Sequence, residues 1–265
     1  MDFGLKDKRA LVAGASAGLG FATAEALAAE GATVVINSRS EDRLKAAADK
    51  IEKATGVRPL LAAGDLASVE GREKVIAAVR SQMPGGAIDI LISNTGGPPP
   101  GMFLDHAPDR FNEAAELVLD SAVNVTRAFL PDMMKQKWGR LIYITSVGVL
   151  QPVDTLILSN TYRAAVTGFC KTISNTYAEH NITANCVCPG YTATERLNDL
   201  AANLAKGSGQ TAEQVMAFFA SSCPAKRVGR PEELAAVVTF LASEQAAYIT
   251  GASIPVDGGH HRSLL

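Results

Sequence analysis

Glycines placed directly after an apolar run are the feature of this sequence best suited to chemistry. Residues 9–13 are apolar apart from Arg9, and an amphipathic helical pattern begins near residue 19. The glycines between them are spaced Gly-x-x-x-Gly-x-Gly. Glycine permits positive φ angles and lets an anion approach the backbone, and the N–H groups at a helix start attract phosphate. The segment therefore predicts a turn that binds a pyrophosphate. Its predicted contacts are Gly14, Ser16, Gly18, Leu19 and Gly20.

The composition narrows the possible classes of protein. The 265 residues are 47% hydrophobic and 20% charged, which suits one large domain spanning residues 1–265. A net charge of −2 without a basic run argues against a nucleic-acid partner. No apolar stretch approaches the roughly 18 residues that span a bilayer, and the first residues do not resemble a signal peptide, so a cytoplasmic protein is expected. The cysteines and histidines are not grouped at metal-ligand spacing, and no metal site is predicted.

Short apolar runs alternate with helical patterns along the chain. The runs are nearly continuous, as is typical of strands buried on both faces of a parallel sheet. The predicted strands lie near 9–13, 33–37, 59–63, 88–93, 139–145, 182–188 and 253–256. The predicted helices lie near 19–30, 41–55, 68–82, 111–137, 159–179 and 231–243. This order predicts an α/β fold, with a single Rossmann-like doubly wound parallel sheet of about seven strands and helices on both faces.

Two segments interrupt this alternation. Residues 195–223 are polar and rich in Ala and Ser, and they form either a lid over the site or a surface helical hairpin. Residues 96–101 read Gly-Gly-Pro-Pro-Pro-Gly after the fourth strand. Three prolines fix φ and favour a stiff, extended path, so this loop is expected to form a rigid wall near the site. The alternatives are a structural loop and a proline motif that binds a partner domain.

Further motifs follow the predicted strands in order. They are the pair at 65–66, the Ser-Asn-Thr-Gly at 93–96, Ser146, the Pro-Gly at 189–190 and the segment from Tyr248 to Gly259. With the glycine turn, they resemble the short-chain dehydrogenase/reductase family, of the type that includes 3-oxoacyl-acyl-carrier-protein reductases. The resemblance covers essentially the whole chain. It implies a nicotinamide dinucleotide across the carboxyl ends of the strands, and a homotetramer or homodimer.

The residues after the second strand bear on the choice of cofactor. Enzymes that hold NAD usually have an acidic residue there, whereas this chain has Ser38 and Arg39. A guanidinium favours the 2′-phosphate of NADP, so NADP(H) is predicted over NAD(H); the alternative is a solvated Arg39. Asp65 has the alternative role of capping the helix near residue 68. By resemblance, the other cofactor contacts are Asp65 and Leu66 at the adenine, Asn94 and Gly96 at the central ribose, and Pro189, Gly190 and Thr192 at the nicotinamide.

The residues at the predicted catalytic positions depart from the family pattern. Ser146 stands where the resemblance implies a hydrogen-bond donor to the substrate oxyanion. In the ungapped register, Ser159 and Arg163 stand in place of the Tyr and Lys of Tyr-x-x-x-Lys, and Val118 replaces an Asn. Arg163 can bind a ribose, but a guanidinium does not donate a proton near neutral pH. Tyr162 lies about 60° around the helix from Ser159, so it either reaches the pocket or packs against a neighbouring helix.

The sequence thus predicts the cofactor more firmly than the reaction. The leading hypothesis is an NADP(H)-dependent oxidoreductase that interconverts a carbonyl and an alcohol, with 3-oxoacyl thioesters among the candidate substrates. A water held by Ser146 and Ser159, or Asp154 with a raised pKa, is the candidate proton source. The alternatives are a cofactor-binding protein without redox turnover, and a lyase or isomerase that reuses the pocket.

Overall fold

One parallel sheet organises the structure, a computed structural model that describes residues 2–264 without the side chains of residues 207 and 208. Seven strands lie in the order β3-β2-β1-β4-β5-β6-β7, and each neighbouring pair is parallel. The strands are β1 Arg9–Val12, β2 Thr33–Ser38, β3 Leu60–Ala63, β4 Ile90–Ser93, β5 Gly139–Ile144, β6 Ile182–Pro189 and β7 Ser253–Val256. The predicted Rossmann-like sheet is confirmed.

Helices cover both faces of the sheet. They are α1 Gly18–Ala29, α2 Glu41–Thr55, α3 Val69–Gln82, α4 Pro108–Ala115, α5 Ser121–Gln136, α6 Ile157–Tyr177, α7 Glu195–Ser208, α8 Ala212–Ser222 and α9 Pro231–Ala242. Successive side chains of a strand point to opposite faces. Val12 and Ile36 therefore pack in a cluster with α1, α2 and α9, whereas Leu11 and Val35 pack in a second cluster with α3, α5 and α6. The strands are buried on both sides for this reason.

Two of the predicted segments differ in detail. The long helix predicted over 111–137 is divided into α4, a π-helical segment at Glu116–Asp120, and α5. The polar insertion at 195–223 contains α7 and α8, which close on a small apolar cluster of their own. Thr194 and Thr211 cap these two helices by accepting backbone N–H bonds. Within residues 2–264, none of the helices is both long enough and apolar enough to cross a membrane.

The strand order reverses beside β1, and this reversal positions the site. β2 lies on one side of β1 and β4 lies on the other, so the chain leaves these strands in opposite directions. The connections separate at the carboxyl ends of β1 and β4 and leave a crevice, which is where open α/β sheets bind their ligands.

Candidate active site

The glycine turn after β1 has a shape that only glycine allows. Gly14 and Gly18 have φ angles of +59° and +58°. A Cβ added at Gly20 would lie 2.3 Å from the carbonyl oxygen of Gly14, because the first turn of α1 packs directly on the loop. Asn94 holds the other side, since its Nδ2 donates to the carbonyl oxygens of Ala13 and Gly14 at 3.3 and 3.2 Å. The turn is therefore fixed in shape by backbone packing and by one amide.

The start of α1 is open to an anion. Its N-cap is Ala17, whose side chain makes no capping hydrogen bond to the described residues, and the first turn contains no acidic residue. The N-caps of α2 and α3, in contrast, are Ser40 and Ser68, whose hydroxyls accept backbone N–H bonds. The N–H groups at the start of α1 are thus left for a ligand, and they favour negative charge.

A cleft of about 490 Å³ extends from this turn across the carboxyl ends of β1, β4, β5 and β6. It brings together most of the residues predicted to bind the cofactor or to act in catalysis. Those that line it are Gly14, Gly18, Leu19, Asn94, Gly96, Ser146, Ser159, Arg163, Pro189, Gly190 and Thr192. Gly96 leaves open space, because a Cβ added there would have no described atom within 4 Å. Ser16 is half-buried in the turn without lining the cleft.

The residues predicted to bind the adenosine half lie beyond the cleft, after β2 and β3. Arg39 is 80% exposed, and its Nη1 is 4.0 Å from a carboxylate oxygen of Asp65. Ser38 donates its hydroxyl to a nearby backbone carbonyl. Asp65 does not cap α3, because Ser68 does so. Leu66 is 7% exposed and packs in the core. These positions leave Arg39 free to rotate toward a ligand at the surface.

The far end of the cleft carries two hydroxyls and a buried guanidinium. The Oγ of Ser146 accepts the N–H of Gly148 at 3.0 Å, and the Oγ of Ser159 accepts Nε of Arg163 at 3.2 Å. The Nη1 of Arg163 donates to the carbonyl oxygen of Ile144, at the end of β5, at 2.9 Å. Because both hydroxyls accept in these bonds, their hydrogens remain available to a ligand.

The charge of Arg163 is perturbed by its surroundings. Its side chain is buried, with 8% of the residue exposed. Burial and the nearby positive charge of Arg196 lower the pKa of Arg163 to about 10. The guanidinium is therefore still protonated at neutral pH, and it supplies a desolvated positive charge at the floor of the cleft.

Two other predicted proton sources lie outside the cleft. Tyr162 packs against the core cluster that contains Val118 and Val166, and it is not among the residues that line the cleft in the described part of the chain. Of the two alternatives for Tyr162, the structure has the packed one. Asp154 is exposed on the loop before α6, so the burial that a carboxylic proton donor needs is not present there.

Sequence reasoning missed the residues that enter the cleft from the start of α7. The Cγ2 of Thr194 lies 3.3 Å from a Cβ placed on Gly18. Glu195 pairs with Arg43 of α2 at 2.8 Å, and Arg196 donates to the carbonyl oxygen of Pro98 at 2.8 Å. The composition of residues 195–223 indicated a lid as one alternative, but no pattern in that segment singled out Thr194, Glu195 or Arg196.

Tyr191 and His260 form an aromatic side of the cleft that the sequence did not indicate either. Tyr191 stacks on Phe219 of α8 with ring centroids 4.3 Å apart, and the ring of His260 meets Tyr191 edge-on at 4.9 Å. Burial raises the pKa of Tyr191. Within residues 2–264, the Nδ1 of His260 is buried without a hydrogen-bond partner. This side of the cleft is thus aromatic, and His260 Nδ1 is a buried polar atom there without a partner among the described residues.

A parallel sheet with an open glycine turn at its strand reversal defines a class of dinucleotide-binding proteins. Residues 14–261 match the family model described as "Enoyl-(Acyl carrier protein) reductase". The 3-oxoacyl-[acyl-carrier-protein] reductase FabG of Aquifex aeolicus is 36% identical over 260 residues, which cover 98% of this chain and 99% of that protein. The NADPH-dependent reductase BacG of Bacillus subtilis is 34% identical over 266 residues, covering 98% and 100%.

Solved structures agree with these relatives. The crystal structure of L-sorbose reductase from Gluconobacter frateurii, complexed with NADPH and L-sorbose, has a TM-score of 0.93 to this chain. It is 35% identical, and the match covers 100% of both chains. The chain therefore belongs to the short-chain dehydrogenase/reductase family and is an oxidoreductase of that family.

Proposed function

We propose that this protein is an NADP(H)-dependent reductase that converts a carbonyl group into an alcohol, and that 3-oxoacyl thioesters are among its candidate substrates. The observation that carries the proposal is the open glycine turn at one end of a cleft whose other end holds Ser146, Ser159 and Arg163. Two of the relatives, a 3-oxoacyl-[acyl-carrier-protein] reductase and an NADPH-dependent reductase, support it.

The residues fit a nicotinamide dinucleotide. The turn at residues 14–20 and the free N–H groups of α1 would hold its diphosphate, and Gly96 gives room for the central ribose. Arg39 and Ser38 would hold a 2′-phosphate, and Pro189, Gly190 and Thr192 would meet the nicotinamide ring. When bound, the cofactor supplies the hydride. That the neighbouring L-sorbose reductase structure contains NADPH favours the phosphorylated cofactor.

The chain's own residues would then handle the oxygen of the substrate. As hydride adds to the carbonyl carbon, the oxygen gains negative charge and must take one proton. The free hydroxyl hydrogen of Ser146 can stabilise that charge. The hydroxyl of Ser159, fixed by its bond from Arg163, can hold a water that donates the proton.

This arrangement makes a specific kinetic prediction. By resemblance, in the ungapped register, Ser159 and Arg163 occupy the places of the family's Tyr and Lys, and neither of the two is a general acid at neutral pH. A positioned general acid typically contributes about 10²- to 10⁴-fold. Proximity and orientation remain, so hydride transfer is expected to be slow and to favour conjugated or readily enolised carbonyls.

The segment 195–223, which contains α7 and α8, is proposed as a substrate lid over the site. Its contacts to the rest of the cleft are those of Thr194, Glu195 and Arg196 with Gly18, Arg43 and Pro98. These contacts would separate when the lid opens for the substrate. A single domain over residues 1–265, a cytoplasmic location and a homotetramer or homodimer complete the proposal.

The test is a reductase assay with purified protein, NADPH and a panel of ketones that includes 3-oxoacyl thioesters. Loss of NADPH absorbance together with transfer of deuterium from labelled NADPH to the product supports the proposal. Saturable NADPH binding without turnover of any member of the panel indicates a cofactor-binding protein instead. Product formation without deuterium transfer indicates a lyase or isomerase.

A further inference from the structure

The reacting end of the cleft has a buried positive charge without a carboxylate beside it. Arg163 is more than nine-tenths buried, and its hydrogen bonds go to the hydroxyl of Ser159 and the carbonyl of Ile144. Within residues 2–264, it forms no ion pair, and its Nη2 makes no hydrogen bond. Burying a guanidinium without a counter-charge is costly. A negatively charged ligand would satisfy the group.

A second arginine faces the same space. Arg196 lines the cleft from α7, and its positive charge acts on Arg163. It too lacks an ion pair in the described part of the chain. Its Nη2 donates to the carbonyl oxygen of Pro98. Of the carboxylates that line the cleft, Glu195 is paired with Arg43, and Asp199 lies one turn beyond Arg196 on an exposed position. The buried Arg163 and the solvent-exposed Arg196 therefore both lack a paired carboxylate at the reacting end, in the part of the chain that the structure describes.

The phosphates of the cofactor are too far from Arg163 to supply that counter-charge. The phosphate turn follows β1, whereas Arg163 is anchored to the last residue of β5. β4 lies between these strands, and adjacent strands are about 4.8 Å apart, which separates the two positions by about 10 Å. The missing negative charge thus belongs to the molecule that meets the nicotinamide, beside Ser146.

We propose that the substrate is an oxo acid whose carbonyl lies at Ser146 and whose carboxylate binds between Arg163 and Arg196. This inference rests on the proposed function and specifies its substrate class. A guanidinium matches a carboxylate through paired, charge-assisted hydrogen bonds. The short side chain of Ser159 leaves Arg163 accessible from the cleft. Arg196 is the specificity-determining residue, because Arg163 also holds the end of β5.

The experiment compares oxo acids with their methyl esters, which keep the carbonyl and remove the charge. The spacing between the carbonyl and the carboxylate is not fixed by the site, so the series has the carbonyl at C2, C4 or C5 of the acid. The wild-type protein is expected to prefer one acid over its ester by about 10- to 100-fold in kcat/KM, the range of a hydrogen-bonded charge pair. Arg196→Gln should raise KM for the acid far more than for the ester, and so remove that preference. Arg58→Gln is the matched control, since Arg58 pairs with Asp49 on the surface of α2.

Separate readouts distinguish this inference from the proposed function. NADPH affinity is measured on each variant by fluorescence titration, because Arg196→Gln also removes the hydrogen bond to the carbonyl of Pro98. If ketones and esters are reduced without a preference for acids, the proposed function stands and the oxo-acid inference is wrong. The inference is also wrong if Arg196→Gln weakens NADPH binding by the same factor by which it lowers kcat/KM for the acids. If no carbonyl compound is reduced, binding of the acids and of their esters to the NADPH-saturated protein is compared by calorimetry. Binding of an acid without binding of its ester supports the anion site. Equal binding of the two, or no binding of either, overturns it.

Discussion

Replacing Arg39 by alanine separates the two nicotinamide cofactors. Arg39 is 80% exposed and lies 4.0 Å from Asp65, whose side chain is 42% exposed. Exposed pairs of this kind contribute about 0–1 kcal/mol, so Arg39→Ala is expected to leave the stability of the fold nearly unchanged. The lost interaction that matters is the one with a 2′-phosphate, which only NADP(H) carries.

The size of the effect follows from the chemistry of that contact. A hydrogen bond to a charged group contributes about 1.5–3 kcal/mol. Since every 1.4 kcal/mol is tenfold in an equilibrium constant, the Kd for NADPH should rise about 10- to 100-fold. The Kd for NADH should stay within about twofold, because the guanidinium has no phosphate to bind there.

The assay is a fluorescence titration of each cofactor at one fixed ionic strength, because salt screens an exposed phosphate contact. Arg58→Ala serves as the control, since it removes a surface arginine just beyond the opposite end of α2, away from the cleft. Equal weakening of NADPH and NADH by Arg39→Ala, or no weakening of either, would refute the assignment of this residue to the 2′-phosphate.

Three further substitutions test the rest of the account. Tyr162→Phe should leave kcat unchanged, because the ring packs in the core. A fall in kcat of tenfold or more (about 1.4 kcal/mol) in the NADPH assay would show that the hydroxyl of Tyr162 acts in catalysis. Ser146→Ala should lower kcat by about 100-fold with NADPH affinity unchanged, as expected for an oxyanion donor; an unchanged kcat contradicts that role. Asp89→Asn should flatten the loss of stability in acid, followed by urea unfolding between pH 7 and pH 3. Burial acts to raise the pKa of Asp89, but the bonds from Arg9, at 2.7 and 2.9 Å, leave it lowered, so its stabilisation is present above the normal carboxyl pKa and lost as the pH falls. A variant with the acid sensitivity of the wild type would exclude this pair as its source.

The sheet was predictable because strands that are buried on both faces appear in the sequence as uninterrupted apolar runs. The run Val34-Val35-Ile36 is apolar at every position, and the structure places it in the interior strand β2. The glycine turn was predictable for a related reason. At Gly14 and Gly18 the backbone needs positive φ, and this requirement appears in the sequence as a residue type.

The helical hairpin over the cleft was harder to predict because its core is small. Leu197, Ala201, Val215 and Phe219 form a separate cluster, and most other residues of the hairpin face solvent. Their polar composition was therefore compatible with a lid over the site and with a surface helical hairpin. The structure has the hairpin, and the contacts at its start place it over the cleft.

The partners of Arg163 could not be predicted from spacing alone. Helix geometry places Ser159 one turn away, and the structure has that contact. Arg196 and His260 reach the same cleft from elements far along the chain, and no local pattern connects them to it. The position of Tyr162 was undecided for a similar reason, since a helical wheel gives a direction and the neighbouring helices decide what lies there.

The central claim is that the turn at residues 14–20 binds the diphosphate of a nicotinamide dinucleotide. Titration of the purified wild-type protein with NADPH, beside Gly20→Ala and the control Gly168→Ala, tests it most directly. A Cβ at Gly20 would lie 2.3 Å from the backbone of the turn, whereas one at Gly168 meets no described atom within 4 Å. The account predicts saturable binding by the wild type and Gly168→Ala, with affinity lost in Gly20→Ala while the variant stays folded by circular dichroism. Absence of a saturable signal in the wild type, or unchanged affinity in a folded Gly20→Ala, would contradict it.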